Sequence, residues 1–142
     1  MSETHTLRHE INIAASEDKI RTALTTADGL RGWNTADVSG TGAVGSEWSL
    51  GYGAGPKFSW RVVSQSDDKI AWICTAGPGD SVGTTAEFAL APLPDGRTRV
   101  AFIHAGWPHQ EGNFTKCNTL WGVLLHHLRV FAESGKPSPA YS

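Results

Sequence analysis

The side chains able to do chemistry gather late in the chain. His104, His109, Glu111 and Cys117 fall between positions 104 and 117, and four such groups can close a zinc site. Their spacing matches no closed His/Cys template, and Cys117 repeats with an apolar helical stripe, so no metal ligand set is assigned. His126 and His127 follow. At about 100° per residue His126 falls on the polar side of a helix and His127 at the edge of its apolar side. A solvated pair, with His127 partly covered, is expected. His104 is different. It shares strand parity with Val100 and Phe102, which aims it at the same interior. It reads either as a buried histidine satisfied by one hydrogen bond, such as one to a backbone carbonyl, or as a polar handle in an apolar cavity. In the second case it orients a ligand or exchanges a proton near neutral pH.

Other motifs dissolve on inspection. Gly40-Thr-Gly42-Ala-Val-Gly45 has the letters of a dinucleotide fingerprint. That chemistry needs a helix N-terminus after the last glycine to hold the pyrophosphate. Here Ser46-Glu47-Trp48-Ser49-Leu50 alternates as a strand, so the stretch is a loop and no cofactor is implied. Asn113-Phe114-Thr115 fits a glycosylation acceptor, but Met1 to His9 has no apolar core that would direct secretion. Glu47 and Glu87 have the parity opposite to Trp48 and Phe88, which sends them to the outer face. No Ser-His-Asp set, nucleophile elbow or pair of inward carboxylates can be assembled. The chain shows no catalytic constellation, and His104 is its one acid/base candidate. Cys74 and Cys117 sit in apolar patterns and read as buried free thiols.

Periodicity defines what must position His104. Phe114 to Glu133 places Cys117, Leu120, Trp121, Leu124, Leu128 and Phe131 on one stripe, with Gly135 as a left-handed cap and Pro137 blocking continuation. This predicts a helix over 112–134, about five turns long, which needs a large apolar partner. Leu7, His9, Ile11 and Ile13 alternate as a first strand. Ser16 then caps a helix over 16–26, and Asp28 caps a second over 28–34 containing Leu30 and Trp33. Beyond Val38 the helical period disappears. Trp48/Leu50/Tyr52, Phe58/Trp60/Val62, Ile70/Trp72/Cys74, Ala86/Phe88/Leu90 and Val100/Phe102/His104 alternate between short turns. One of these turns is Gly51 to Pro56. The result is an antiparallel meander. Ser138 to Ser142 is expected to fray.

Composition limits the partners. The net charge is -2 and 18% of residues are charged, with no basic run to neutralise phosphates, so nucleic acid is excluded. No stretch approaches a membrane span. Six Trp and sixteen Gly suit a sheet that wraps around something. A single cytoplasmic domain over 1–142 is expected.

This order of elements resembles the START-like (Bet v-like, helix-grip, SRPBCC) superfamily, and within it the branch named for the activator of the heat-shock-ninety ATPase. The residues that carry the resemblance are Ala14-Ala15-Ser16-Glu17-Asp18-Lys19-Ile20, Ala23 to Leu30 with Trp33, and Gly45. Thr85-Ala86-Glu87-Phe88-Ala89-Leu90, Thr98 to Phe102 with His104-Ala105-Gly106, and the Trp121 helix ending Glu133-Ser134-Gly135-Lys136 complete them. The resemblance implies an α+β fold: a curved antiparallel sheet of about six to seven strands, two short helices after strand one, and a long C-terminal helix across the sheet. Where the branch carries Val-Trp or Val-Phe, this chain has Ile20-Arg21, which leaves room near the first helix. The superfamily mixes lipid carriers, hormone receptors, cyclases and co-chaperone domains. The reading preferred is binding of a small hydrophobic or aromatic molecule between sheet and helix. Its lining is Trp48, Leu50, Phe58, Trp60, Trp72, Phe88, Phe102, His104, Trp121, Leu124 and Leu125. The alternatives are a chaperone-associated interaction module and a cyclase, aromatase or hydrolase using His104. A homodimer through the outer sheet or an edge strand is compatible with all three.

Overall fold

The structure, a computed structural model, describes residues 4–54 and 57–141. Gly55 and Pro56, the end of the turn expected over Gly51 to Pro56, lie outside it, as do Met1–Glu3 and Ser142. Among the described residues the order is β1 (His5–Ile13), α1 (Glu17–Thr25), α2 (Ala27–Trp33), β2 (Asp37–Ser39) and β3 (Glu47–Gly51). Then come β4 (Phe58–Gln65), β5 (Lys69–Ala76), a single 3-10 turn at Gly79–Ser81, β6 (Thr85–Pro92), β7 (Thr98–Trp107) and α3 (Asn113–Ser134). The strands form one antiparallel sheet in the order β1-β7-β6-β5-β4-β3-β2, open at both edges. This is the expected α+β helix-grip architecture. No helix among the described residues is long and apolar enough to cross a membrane.

Alternation decides the inner face. Ile70, Trp72 and Cys74 of β5, Ala86, Phe88 and Leu90 of β6, and Val100, Phe102 and His104 of β7 are all buried. Their intervening neighbours are partly exposed or exposed, as a period of two requires. α3 lays Cys117, Trp121, Leu124, Leu125, Leu128 and Ala132 onto this face, with Leu120 and Phe131 flanking the stripe. It ends where expected: Gly135 adopts φ 73° and donates its N–H to the Phe131 carbonyl at 2.8 Å.

Two expectations are corrected. Asp28 does not cap α2. The Thr26 hydroxyl accepts from the Gly29 N–H at 3.0 Å, so the helix begins at Ala27 and Asp28 pairs with Arg31 instead. Thr26 ends α1 and starts α2 at once. A helix joint this tight leaves no linker residue, and the residue already extended becomes the cap. Nor is the tail frayed up to Tyr141. The N–H groups of Ser138, Ala140 and Tyr141 donate to the carbonyls of Gly32, Trp33 and Asn34, and the Tyr141 carbonyl accepts from Ala36 N–H. Orphan carbonyls at the end of α2 supply acceptors that the tail's own composition does not reveal.

The Gly40–Gly45 stretch is a loop leading into β3. A Cβ on Gly42, at φ 84°, would lie 2.1 Å from the Thr25 carbonyl oxygen and 2.9 Å from the Trp48 ring. The glycine therefore serves close packing of the loop on α1.

Candidate functional site

β7 and α3 bring His104 and Trp121 together beneath the sheet. The Trp121 indole N–H donates to His104 Nδ1 at 3.0 Å. Because Nδ1 accepts, the ring proton of neutral His104 sits on Nε2, which lies 2.7 Å from the Thr84 hydroxyl. Thr84 in turn donates to the Ser81 carbonyl. A single wire thus runs Trp121 → His104 → Thr84 → Ser81, tying α3 to β7 and to the segment before β6. His104 is fully buried, and burial holds its pKa well below the ordinary value, at about 3. Both ring nitrogens are engaged and the ring stays neutral near pH 7. The arrangement offers a fixed dipole rather than a proton carrier. Thr84→Val keeps the shape, but leaves Nε2–H unpaired, while the Ser81 carbonyl keeps its bond from the Thr84 N–H. It is expected to cost about 1–3 kcal/mol in urea unfolding, and a change under ~0.5 kcal/mol would show that Thr84 is not a real partner.

Around this wire lies an aromatic layer. Trp60 is 5.4 Å and Trp107 4.6 Å from the His104 ring, centroid to centroid. Phe102 lies 4.1 Å from Trp121, and Phe88 lies 4.9 Å from Phe102 and 5.2 Å from Trp72. A chain of rings continues outward, with Phe58 stacked on Trp60 at 6.2 Å, and with Tyr52 edge-on to Phe58 at 6.0 Å and Tyr141 edge-on to Tyr52 at 5.0 Å. The Tyr52 hydroxyl, its pKa raised by burial, donates to Asn34 Oδ1. The indole N–H groups of Trp48, Trp72 and Trp107 are buried without a partner.

Between α3 and β3–β4 these side chains leave a void of about 10 Å³, lined by Tyr52, Phe58, Trp60, His104, Cys117, Leu120, Trp121 and Leu124. That is room for about one water molecule. Of the eleven residues expected to line a cavity, Phe58, Trp60, His104, Trp121 and Leu124 meet at this void. Trp48, Leu50, Trp72, Phe88, Phe102 and Leu125 are buried in the core. Tyr52, Cys117 and Leu120 share the lining although only their strand parity and helical stripe pointed inward. Thr84 had no sequence signal, since it precedes the regular alternation of β6.

The remaining candidates disperse. His109 pairs on the surface with Asp80 at 3.1 Å, and the Asn113 amide also donates to Asp80, at 3.0 Å. Among the described residues no three His, Cys, Asp or Glu side chains converge on a point that could hold a metal ion. Cys74 and Cys117 are free, and burial pushes both thiols up to about 11, which keeps them protonated and unreactive. His126 is exposed, while His127 donates its Nδ1 proton to the Ser138 carbonyl at 2.7 Å. Glu47 and Glu87 lie on the outer face, bonded to Thr75 and Lys69. Arg21 borders an open polar hollow of about 450 Å³.

The fold is shared widely. The chain is 35% identical to the Aha1 dimer of Colwellia psychrerythraea, solved in solution, with TM-score 0.84 over 93% of this chain and 98% of that one. DynU16, a protein of the dynemicin biosynthetic locus, aligns at 19% identity and TM-score 0.77 over 96% of this chain and 51% of its own. MLL2253 from Mesorhizobium loti aligns at 19% identity and TM-score 0.76, over 89% and 95%. No curated protein matches the chain. The family model described as activator of Hsp90 ATPase homolog 1-like protein matches residues 14–133, and with that span the chain belongs to this family.

Proposed function

We propose that the chain binds a small hydrophobic, preferably aromatic, molecule between α3 and the sheet, acting in the cytoplasm. The observation that carries this reading is the void beside His104. It is lined by the fixed imidazole, by Trp60 and Trp121, and by the half-buried rings of Tyr52 and Phe58. Flat rigid rings give large contact area at low entropic cost. At about 10 Å³ the void holds no such ligand as it stands, so binding separates the first half of α3 from β3–β4 and draws on a minor open state.

Leu124→Ala enlarges the void without touching the hydrogen-bonded wire. It is expected to bind a naphthol-sized probe at least about tenfold tighter than the parent chain, because part of the opening is already made. Intrinsic fluorescence titration and native mass spectrometry read the result. Unsaturable quenching and a bare mass in both proteins would remove the reading.

The family description and the Aha1 neighbour favour a second reading, stimulation of a heat-shock-ninety ATPase, for which turnover by the chaperone with and without the chain is the assay. The same neighbour is a dimer, and self-association of this chain forms part of both readings.

A further inference from the structure

The open edge of the sheet at β1 carries a pattern that is complementary to itself. Leu90 N–H donates to the Asp68 carbonyl and Cys74 N–H to the Thr84 carbonyl, so even-numbered residues of β6 face β5 and odd-numbered ones face β7. Carried through the registers Glu87↔Ile103 and Phe102↔His9, this turns the odd residues of β1 toward β7. The N–H and C=O groups of Thr6, Arg8, Glu10 and Asn12 are therefore left along the free edge. Among the described residues β1 pairs with no other strand. It is nine residues long and carries neither proline nor an inward charge, and its one register irregularity against β7 lies at its start, between His5 and Leu7.

We propose that this edge is the dimer interface. Two copies of β1 pair antiparallel about a two-fold axis through His9, joining the sheets into one; the proposal rests on the self-association reading above. Each even residue must face an even residue of the second copy, which allows only axes passing through a residue. An axis at Arg8 or Glu10 sets like charges face to face. An axis at Leu7 or Ile11 leaves much of the strand unpaired. The axis at His9 sets Arg8 opposite Glu10 twice, Leu7 opposite Ile11 twice, and Thr6 opposite Asn12. Opposite charges directly across a strand pair stabilise it and like charges do the reverse.

One unexplained feature of the single chain falls on this axis: Gly122, an exposed glycine inside α3. A Cβ there would touch only His9 Cε1, at 3.9 Å, so nothing within the chain calls for glycine, which weakens a helix by roughly 1 kcal/mol. α3 runs alongside β1, with Gly122 over His9 and the Glu133 carboxylate accepting from Ala14 N–H at 2.8 Å. The two separations, eleven helical and five extended residues, are each roughly 16 Å. The axis that pairs β1 with its copy therefore also brings the two α3 helices past each other at Gly122, where a missing side chain lets them approach.

The test is sedimentation equilibrium of the full chain, its Arg8→Glu variant and the Arg8→Glu/Glu10→Arg double variant. A dimer is expected, weakened about tenfold or more in the single variant and restored in the double one. His9→Cys is expected to form an intermolecular disulfide on mild oxidation, and Arg8→Cys is not, because only residue 9 faces itself. A monomer at every concentration would overturn self-association altogether. A dimer indifferent to Arg8→Glu, with no cross-link through position 9, would overturn this interface and leave self-association standing.

Discussion

Replacing Trp121 with alanine is expected to remove about 3–5 kcal/mol of stability, the range for deleting a buried aromatic side chain. Three effects combine. The indole contacts with Phe102 and Phe88, at 4.1 and 5.8 Å between ring centroids, disappear. A cavity joins the existing void. His104 Nδ1, fully buried, also loses its donor. Trp121→Phe goes far toward separating these effects, since it keeps most of the apolar volume and removes the N–H with the rest of the smaller ring. An unpaired buried acceptor costs about 1–3 kcal/mol, so this variant is expected to lie between the parent and the alanine variant. Urea unfolding at pH 7 followed by circular dichroism measures all three proteins. If Trp121→Phe proved as stable as the parent, the Trp121–His104 hydrogen bond would contribute nothing to the fold, and the functional reading of a fixed imidazole would go with it.

How far the fold was legible depended on whether periodicity or contact carried the information. The stripe through Cys117, Trp121, Leu124 and Leu128 gave α3 nearly to its ends, because burying one face of a helix imposes its own spacing. The same holds for β4 to β7, where a one-residue slip would turn Trp60 or Phe88 to solvent. The three-residue β2 is too short for any alternation to register. The pinned tail was invisible because the backbone, not the side chains, holds Ser138 to Tyr141 against α2. Thr26 was overlooked as a cap because Asp28 is the stronger capping residue by type, and only the joint between α1 and α2 selects the threonine.

The candidate site was readable in its direction and not in its volume. Strand parity sends His104 inward and helix spacing sends Trp121 to meet it. Whether eleven large side chains enclose a chamber or fill it depends on sub-ångström fit, and alternation carries no such information. The partners of His104 also escaped. Neither Trp121 nor Thr84 is the backbone carbonyl that a lone buried histidine suggests, and two side-chain bonds fix the tautomer where one carbonyl would leave a nitrogen free.

That fixed tautomer makes the protein sensitive to acid. His104 has an ordinary pKa of 6.5 when unfolded and about 3 in the fold, so between these values the unfolded chain binds the extra proton. Stability then rises with pH. The contribution is complete above about pH 6.5 and is lost as pH falls toward 3, for a total of roughly 4–5 kcal/mol at about 1.4 kcal/mol per unit. Burial of the ring is the cause, and the geometry around it runs the same way. A protonated imidazole is a donor at both nitrogens, and Nδ1–H would then face the Trp121 N–H with no carboxylate nearby to compensate. Urea unfolding of the parent and of His104→Gln from pH 7 to pH 4 isolates the effect, because every other titrating group is common to both. The variant is expected to be less stable at pH 7 but flatter, the gap between the two closing by up to ~1.4 kcal/mol per unit. Parallel curves would mean that His104 titrates normally in the fold. The imidazole would then be free to exchange protons at neutral pH, and the acid/base reading that its two hydrogen bonds now oppose would become the stronger one.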